Sequence, residues 1–284
     1  TLALLQRRMP GGARTLATFF AVLRLAGMVA VDIDPDDRRV RYLVPTPRLL
    51  DGLRTWVRHH LHCAEALGAL PPGHAQRLDS DTDYFAAFLA GADHILDRLA
   101  ETRGRFGGWD WFDQRDGGGR IAMLLLREHC RVHRPGEEGS TPFPLRASEL
   151  AQRLGFSHSH VRNLVNEATV QGHLTQDAPR GLVALTPRFQ AELQIWLQHL
   201  LGWFAETAAM AQHHITARGR HGAQEGAGLD AVGHHAVGAA VQLVHALDAD
   251  AAGAVAFDLG AHGDQHLGQV RNLGLLCGVF EHRL

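Results

Sequence analysis

The sequence predicts a mainly α-helical protein carrying small two-stranded β-ribbons, with one unit occurring twice along the chain. Three observations lead there. Residues 146–190 change period from helix to helix to strand, with glycines at the joints. Residues 1–60 repeat that pattern at a nearly constant offset. The hydrophobic share of 45% over 284 residues supports about two buried cores.

The central stretch reads LRASELAQRLGFSHSHVRNLVNEATVQGHLTQDAPRGLVALTPRF. Leu150, Ala151 and Leu154 fall on one face of a first helix over 146–154, and Gly155-Phe156 ends it. Ser157 suits the N-cap of a second helix, because its hydroxyl can accept from the free N–H groups there. Val161, Leu164, Val165 and Ala168 then recur at i, i+3, i+4 and i+7 as an apolar stripe. The opposite edge carries Ser157, His158, Ser159, His160, Arg162, Asn163 and Asn166. Gly172 suits the C′ position after the helix. Leu174 starts a short strand, 177–181 make a turn that presents Arg180, and 182–185 return. A helix followed by a turn and a second helix can lay the second helix in a DNA major groove, polar N-terminal residues toward the base edges.

The repeat follows from two offsets. At 145, Gly27 falls on Gly172, and Leu16, Phe19, Phe20 and Leu23 fall on Val161, Leu164, Val165 and Ala168. At 140, PTPRL (45–49) falls on LTPRF (185–189), and Leu53, Trp56, Val57, His59 and Leu61 fall on Leu193, Trp196, Leu197, His199 and Leu201. The first copy therefore has the longer ribbon, with expected strands 28–33 and 40–44 around Asp34-Pro35-Asp36-Asp37-Arg38-Arg39. Its second helix is expected to begin near Gly12 or Ala13, with Arg14, Thr15, Thr18 and Arg24 polar, and to read a second major groove through Arg14, Thr15 and Thr18. Residues 1–60 hold ten arginines against five carboxylates, a local basic excess that favours a phosphate partner. The chain opens at Thr1 in mid-pattern, so an earlier segment of the first copy is expected.

Residues 146–190 resemble the winged helix-turn-helix of bacterial transcription regulators. LTPRF resembles the close of the wing in the MarR family (multiple-antibiotic-resistance regulators), and DPDDRRVRYLVPT is similar to that family's wing, an aspartate two residues before an arginine. The resemblance implies a wing-tip Arg39 entering the minor groove, where a narrow groove concentrates negative potential. It implies Asp37 orienting Arg39 by a charge-assisted hydrogen bond, with Arg38, Arg41 and Arg180 on phosphates or the minor groove. It also implies that the long helix after each wing builds a dimer interface. The expected fold is two winged helix-turn-helix domains packed through long helices as an intramolecular pseudo-dimer, or a homodimer of such chains.

The expected domains are 1–70, a linker at 71–80, 81–214, and a Gly/Ala/His-rich tail at 215–284 whose weak periodicity predicts a disordered or loosely helical extension. Helices are expected at 48–67, 81–102, 120–134 and 188–213, the third matching the first helix of a winged domain. An aromatic turn is expected at 109–112 and a loop at 135–144. His234, His235, His245, His262, Asp264 and His266 have no metal-site spacing and no matching cysteine set, so neither metal nor cofactor is expected. The cysteines, Cys63, Cys130 and Cys277, are far apart and read as free thiols of a reducing, cytoplasmic compartment. No apolar run of 18 residues and no signal peptide is present, so a membrane is not an expected partner.

All 28 basic residues are arginine, a better bidentate ligand for phosphate and guanine than lysine. No nucleophile elbow, phosphate loop, HExxH or supported carboxylate pair occurs, so an enzyme is not expected. The expected function is sequence-specific binding of double-stranded DNA in transcription regulation, with Trp56, Trp109, Trp111 and Trp196 lining a cavity for a small-molecule effector. The alternative is a winged-helix module that binds protein and not DNA, consistent with the net charge of −2.

Overall fold

The computed structural model describes residues 13–39, 41–133 and 140–221, with side chains placed for all but 13–16 and 219–221. The tail from 222 onward, with its six candidate metal ligands, and Cys277 lie outside the described residues. The described part is mainly helical with two small antiparallel sheets. It divides into two compact units, 13–99 with 203–221, and 100–202. The boundary expected at 71–80 falls inside the first of these.

In the first unit, helix α1 (Ala13–Leu25) buries Phe20 and Leu23, and Gly27 turns the chain with φ 67°. Only a residue without Cβ takes that conformation cheaply. Strands β1 (Val29–Ile33) and β2 (Arg41–Pro45) pair antiparallel from Val29↔Pro45 to Ile33↔Arg41. Helix α2 (Pro47–Ala66) starts on a proline, whose missing N–H is not needed there, and buries Leu49, Leu53, Val57, Leu61 and Ala64 as one stripe. Helices α3 (His74–Ser80) and α4 (Thr82–Ala90) follow, and α5 (Asp93–Thr102) runs past the end of this unit's segment at Leu99.

Two expectations change here. The linker at 71–80 contains α3, which buries Ala75 and Leu78 and is held by Glu65 Oε1 accepting from the Ala75 N–H at 2.8 Å. The single helix expected at 81–102 is two, because Gly91 ends α4 with its N–H shared between Ala87 O and Phe88 O. Asp81 caps α4 by accepting from the Tyr84 N–H at 2.9 Å. Tyr84 and Phe88 join the first unit because they pack on the end of the last helix. The Tyr84 hydroxyl donates to Ala208 O at 3.4 Å, and the Phe88 and Phe204 ring centres lie 6.0 Å apart.

The second unit begins with α6 (Gly108–Asp113), where a mere aromatic turn was expected, and α7 (Gly118–Val132). Gly108 is required by a close approach. A Cβ there would lie 2.5 Å from Phe189 Cδ2 and 2.7 Å from Glu192 Oε2, and Glu192 accepts the Gly108 N–H at 2.7 Å. Helix α7 buries Ile121, Ala122, Leu125, Leu126, His129 and Cys130. Of the loop expected at 135–144, residues 135–139 lie outside the described residues, but β3 (Phe143–Pro144) is a strand. Then come α8 (Ala147–Leu154), α9 (His158–Val170), β4 (Leu174–Asp177), a 3₁₀ turn at Ala178–Arg180, β5 (Leu182–Leu185) and α10 (Pro187–His221). The sheet order is β3-β5-β4, with Phe143↔Val183 and Leu174↔Leu185 in register. Helix α10 passes from the second unit into the first at Trp203.

The two ribbons are anchored alike. Thr46 Oγ1 shares its one proton between Gly27 O and Met28 O, at 2.7 and 3.0 Å. Thr186 Oγ1 likewise shares its proton between Gly172 O and His173 O, at 2.9 and 3.1 Å. The Thr46 N–H meets Met28 O as the Thr186 N–H meets His173 O. Each threonine thus clips the long helix to the glycine that ends the helix before the ribbon. The matched tryptophans pack differently. Trp196 stacks on Trp109 with ring centres 3.5 Å apart, whereas Trp56 meets Phe204 edge-on at 5.2 Å.

Candidate nucleic-acid interface

The outward edge of α9 is built by its inward one. Val161, Leu164, Val165 and Ala168 are buried, each large side chain contributing about 1.5–3 kcal/mol through removal from water. That burial turns His158, Ser159, Arg162, Asn163 and Asn166 to the surface, where all are exposed. Ser157 caps the helix as expected, its Oγ accepting from the His160 N–H at 3.1 Å. It also meets Ser159 Oγ at 3.1 Å. Arg162 and Asn163 have no side-chain partner among the described residues.

His160 differs from its neighbours. Its Nε2 meets Asp116 O at 2.9 Å, and its ring packs on Phe156, which lies under the Arg120 guanidinium. The ring therefore braces α9 against the start of α7. Asn166 is also engaged, from the ribbon, by Gln176. Arg180 sits exposed on the turn and pairs with its own Asp177, Nη1 to Oδ2 at 3.2 Å. Exposed pairs of this kind contribute little and are easily exchanged for another anion.

In the first unit, Arg38, Arg39 and Arg41 are exposed and none has a carboxylate at ion-pair distance among the described residues. Asp37 does not hold the Arg39 guanidinium. Its Oδ1 accepts the backbone N–H of Arg39 at 3.0 Å, so it shapes the turn and leaves the side chain unpaired. Asp34 organises the same turn, accepting from the Asp36 and Asp37 N–H groups at 2.8 and 3.1 Å and from the Tyr42 hydroxyl at 2.8 Å. The Tyr42 hydrogen bond, then the two N–H groups, hold the Asp34 carboxyl below its usual range. Thr18 is exposed on α1; the side chains of Arg14 and Thr15 lie outside the described ones.

The outer face of α1 is unlike that of α9. Ala17, Ala21, Val22 and Leu25 stand exposed with Thr18 and Arg24, Leu25 at 89% and Val22 at 41%. At the offset of 145 these positions replace Arg162, Asn166, Glu167 and Val170 by Ala17, Ala21, Val22 and Leu25.

Of the tryptophans expected to line an effector cavity, Trp109 and Trp196 are buried and Trp56 and Trp111 are half-buried. Trp109 and Trp196 cover each other's faces, and Trp111 lies edge-on to Phe112 beneath the Arg115 guanidinium. Sequence reasoning missed His173, which is buried behind the ribbon among Trp111, Phe112 and Phe189. Its only signal was its position, since it falls on Met28 at the offset of 145. Burial lowers the tendency of its imidazole to take a proton, and Glu192 partly opposes that. Among the described residues no helix is long and apolar enough to cross a membrane. Comparison with family models, curated proteins and solved structures found no match for the chain.

Proposed function

We propose that the chain is a sequence-specific binder of double-stranded DNA that acts in transcription regulation. The second unit reads bases with α9, and the β1–β2 ribbon of the first unit grips phosphate or the minor groove. The element order α7-β3-α8-α9-β4-β5, with β5 central in its sheet, supports a winged helix-turn-helix reading of the second unit. The observation that carries the proposal is the coincidence of three properties on α9. Its outer edge is exposed, is rich in hydrogen-bonding side chains and includes an arginine without a carboxylate partner. Arg162 would meet guanine O6 and N7, and Asn163 and Ser159 would meet base or phosphate edges.

Equilibrium binding of the full chain to random and selected duplexes tests this. Arg39→Ala should weaken binding to all sequences alike, whereas Arg162→Ala should relax base preference by ~1–3 kcal/mol. Equal discrimination by wild type and Arg162→Ala would count against the assignment of Arg162, and no shift of random DNA at low salt would remove the proposal.

A second reading has its own observation. The exposed apolar side chains of α1 suit a protein partner better than a groove lined by phosphate. In that reading the first unit binds protein and contributes only its ribbon to DNA. Val22→Ser with Leu25→Ser should then leave DNA affinity unchanged.

A further inference from the structure

We propose that Gln176 decides which hydrogen-bonding group Asn166 offers to a base, making it a specificity-setting residue outside the reading helix. The proposal rests on the DNA-reading assignment of α9. Gln176 is on β4, and its Nε2 lies 2.6 Å from Thr169 Oγ1, 3.3 Å from Asn166 Oδ1 and 3.3 Å from Val165 O. The polarity of this cluster follows from one proton. Thr169 donates its single hydroxyl proton to Val165 O at 2.9 Å, so toward Gln176 it can only accept. The atom facing it is therefore the Gln176 amide nitrogen. The second proton of that nitrogen is shared between Val165 O and Asn166 Oδ1, both at 3.3 Å, and Asn166 meets its share with the amide oxygen.

Asn166 is exposed, and with its oxygen turned to the ribbon its NH₂ group remains for an outside partner. A free asparagine reads adenine through a paired donor and acceptor. One restricted to donating favours an acceptor-rich edge, guanine O6 and N7 or thymine O4. The device belongs to the second unit alone. At the offset of 145, Val31, Ala21 and Arg24 stand where Gln176, Asn166 and Thr169 stand.

The test is selection of bound sequences from random duplex DNA by the full chain as wild type, Gln176→Met, Gln176→Glu and Asn166→Ala. Wild type should show roughly tenfold preference for an acceptor-bearing base at one position, and Asn166→Ala should abolish it there alone. Gln176→Met should reduce it and admit adenine. Gln176→Glu can only accept from Asn166, which must turn its NH₂ inward and its oxygen outward, so the preferred edge should become a donor, cytosine N4 or adenine N6. Its added negative charge should weaken binding to all sequences without affecting which base is preferred. If Gln176→Glu melts below the assay temperature, the matching positions altered by Gln176→Met and Asn166→Ala decide. Unchanged preferences in folded Gln176 variants, or different positions altered by the two residues, would overturn the proposal while leaving DNA reading intact. Wild type that selects no sequence would overturn both.

Discussion

Replacing Arg38, Arg39 and Arg41 together by alanine should flatten the salt dependence of DNA binding. All three are exposed on the β1–β2 ribbon without carboxylate partners among the described residues, so each offers a full charge to phosphate. Each phosphate neutralised contributes about 0.9 to the slope of log K against log salt, so the triple variant should lose up to ~2.7. Between about 50 and 200 mM salt, that slope difference makes wild-type affinity fall by roughly 40-fold more than the variant's. Arg180→Ala is the internal comparison. Arg180 already pairs with Asp177, so its gain on phosphate is offset by the pair it gives up, and its loss should change the slope by less than one residue's share. Fluorescence anisotropy of a labelled random duplex across that salt range measures both. A triple variant with the wild-type slope would refute the reasoning.

Thr186→Ala should destabilise the second unit by about 2 kcal/mol, because the hydroxyl bonds Gly172 O and His173 O and also accepts from the Phe189 N–H at 3.3 Å. Thr46→Ala should cost about 1 kcal/mol, since Thr46 makes no such helix cap, and thermal melts of the two variants should rank accordingly. Gly118→Ala should cost about 3 kcal/mol or more, because the new Cβ would overlap the backbone carbonyl of Phe112, which cannot swing aside; a melting temperature near wild type would contradict this. Burial pushes His129 down to about 4, with His133 opposing its charge further. An unfolded histidine titrates near 6.5, so in this window the unfolded chain binds more protons and stability falls as pH drops from about 6.5 toward 4. The loss should be on the order of 2–3 kcal/mol, and His129→Phe should remove it from the pH dependence of denaturant midpoints.

The parts of this fold governed by near neighbours in the chain were legible in the sequence. The Ser157 cap, the positive-φ glycines at 27 and 172, the Val161–Ala168 stripe and the Thr-Pro-Arg starts of two long helices all follow from short-range sterics and 3.6-residue periodicity. So did the exposure of Arg162, since burying one side of a helix exposes the other.

What the tertiary structure alone decided depends on partners far along the chain. Phe143–Pro144 is too short to carry a strand signal and becomes one because β5 offers it a free edge. Gly108 and Gly118 carry no local signal of close packing, yet Phe189, Glu192 and the Phe112 carbonyl occupy the space a Cβ would need. His160 and Asn166 lie on the expected outer edge of α9. Their rings and amides are nevertheless turned by Asp116, 44 residues away, and by Gln176, ten residues away. Periodicity says which face of a helix meets water. Which way a polar group on that face points is set by hydrogen-bond partners that only the folded chain brings within reach.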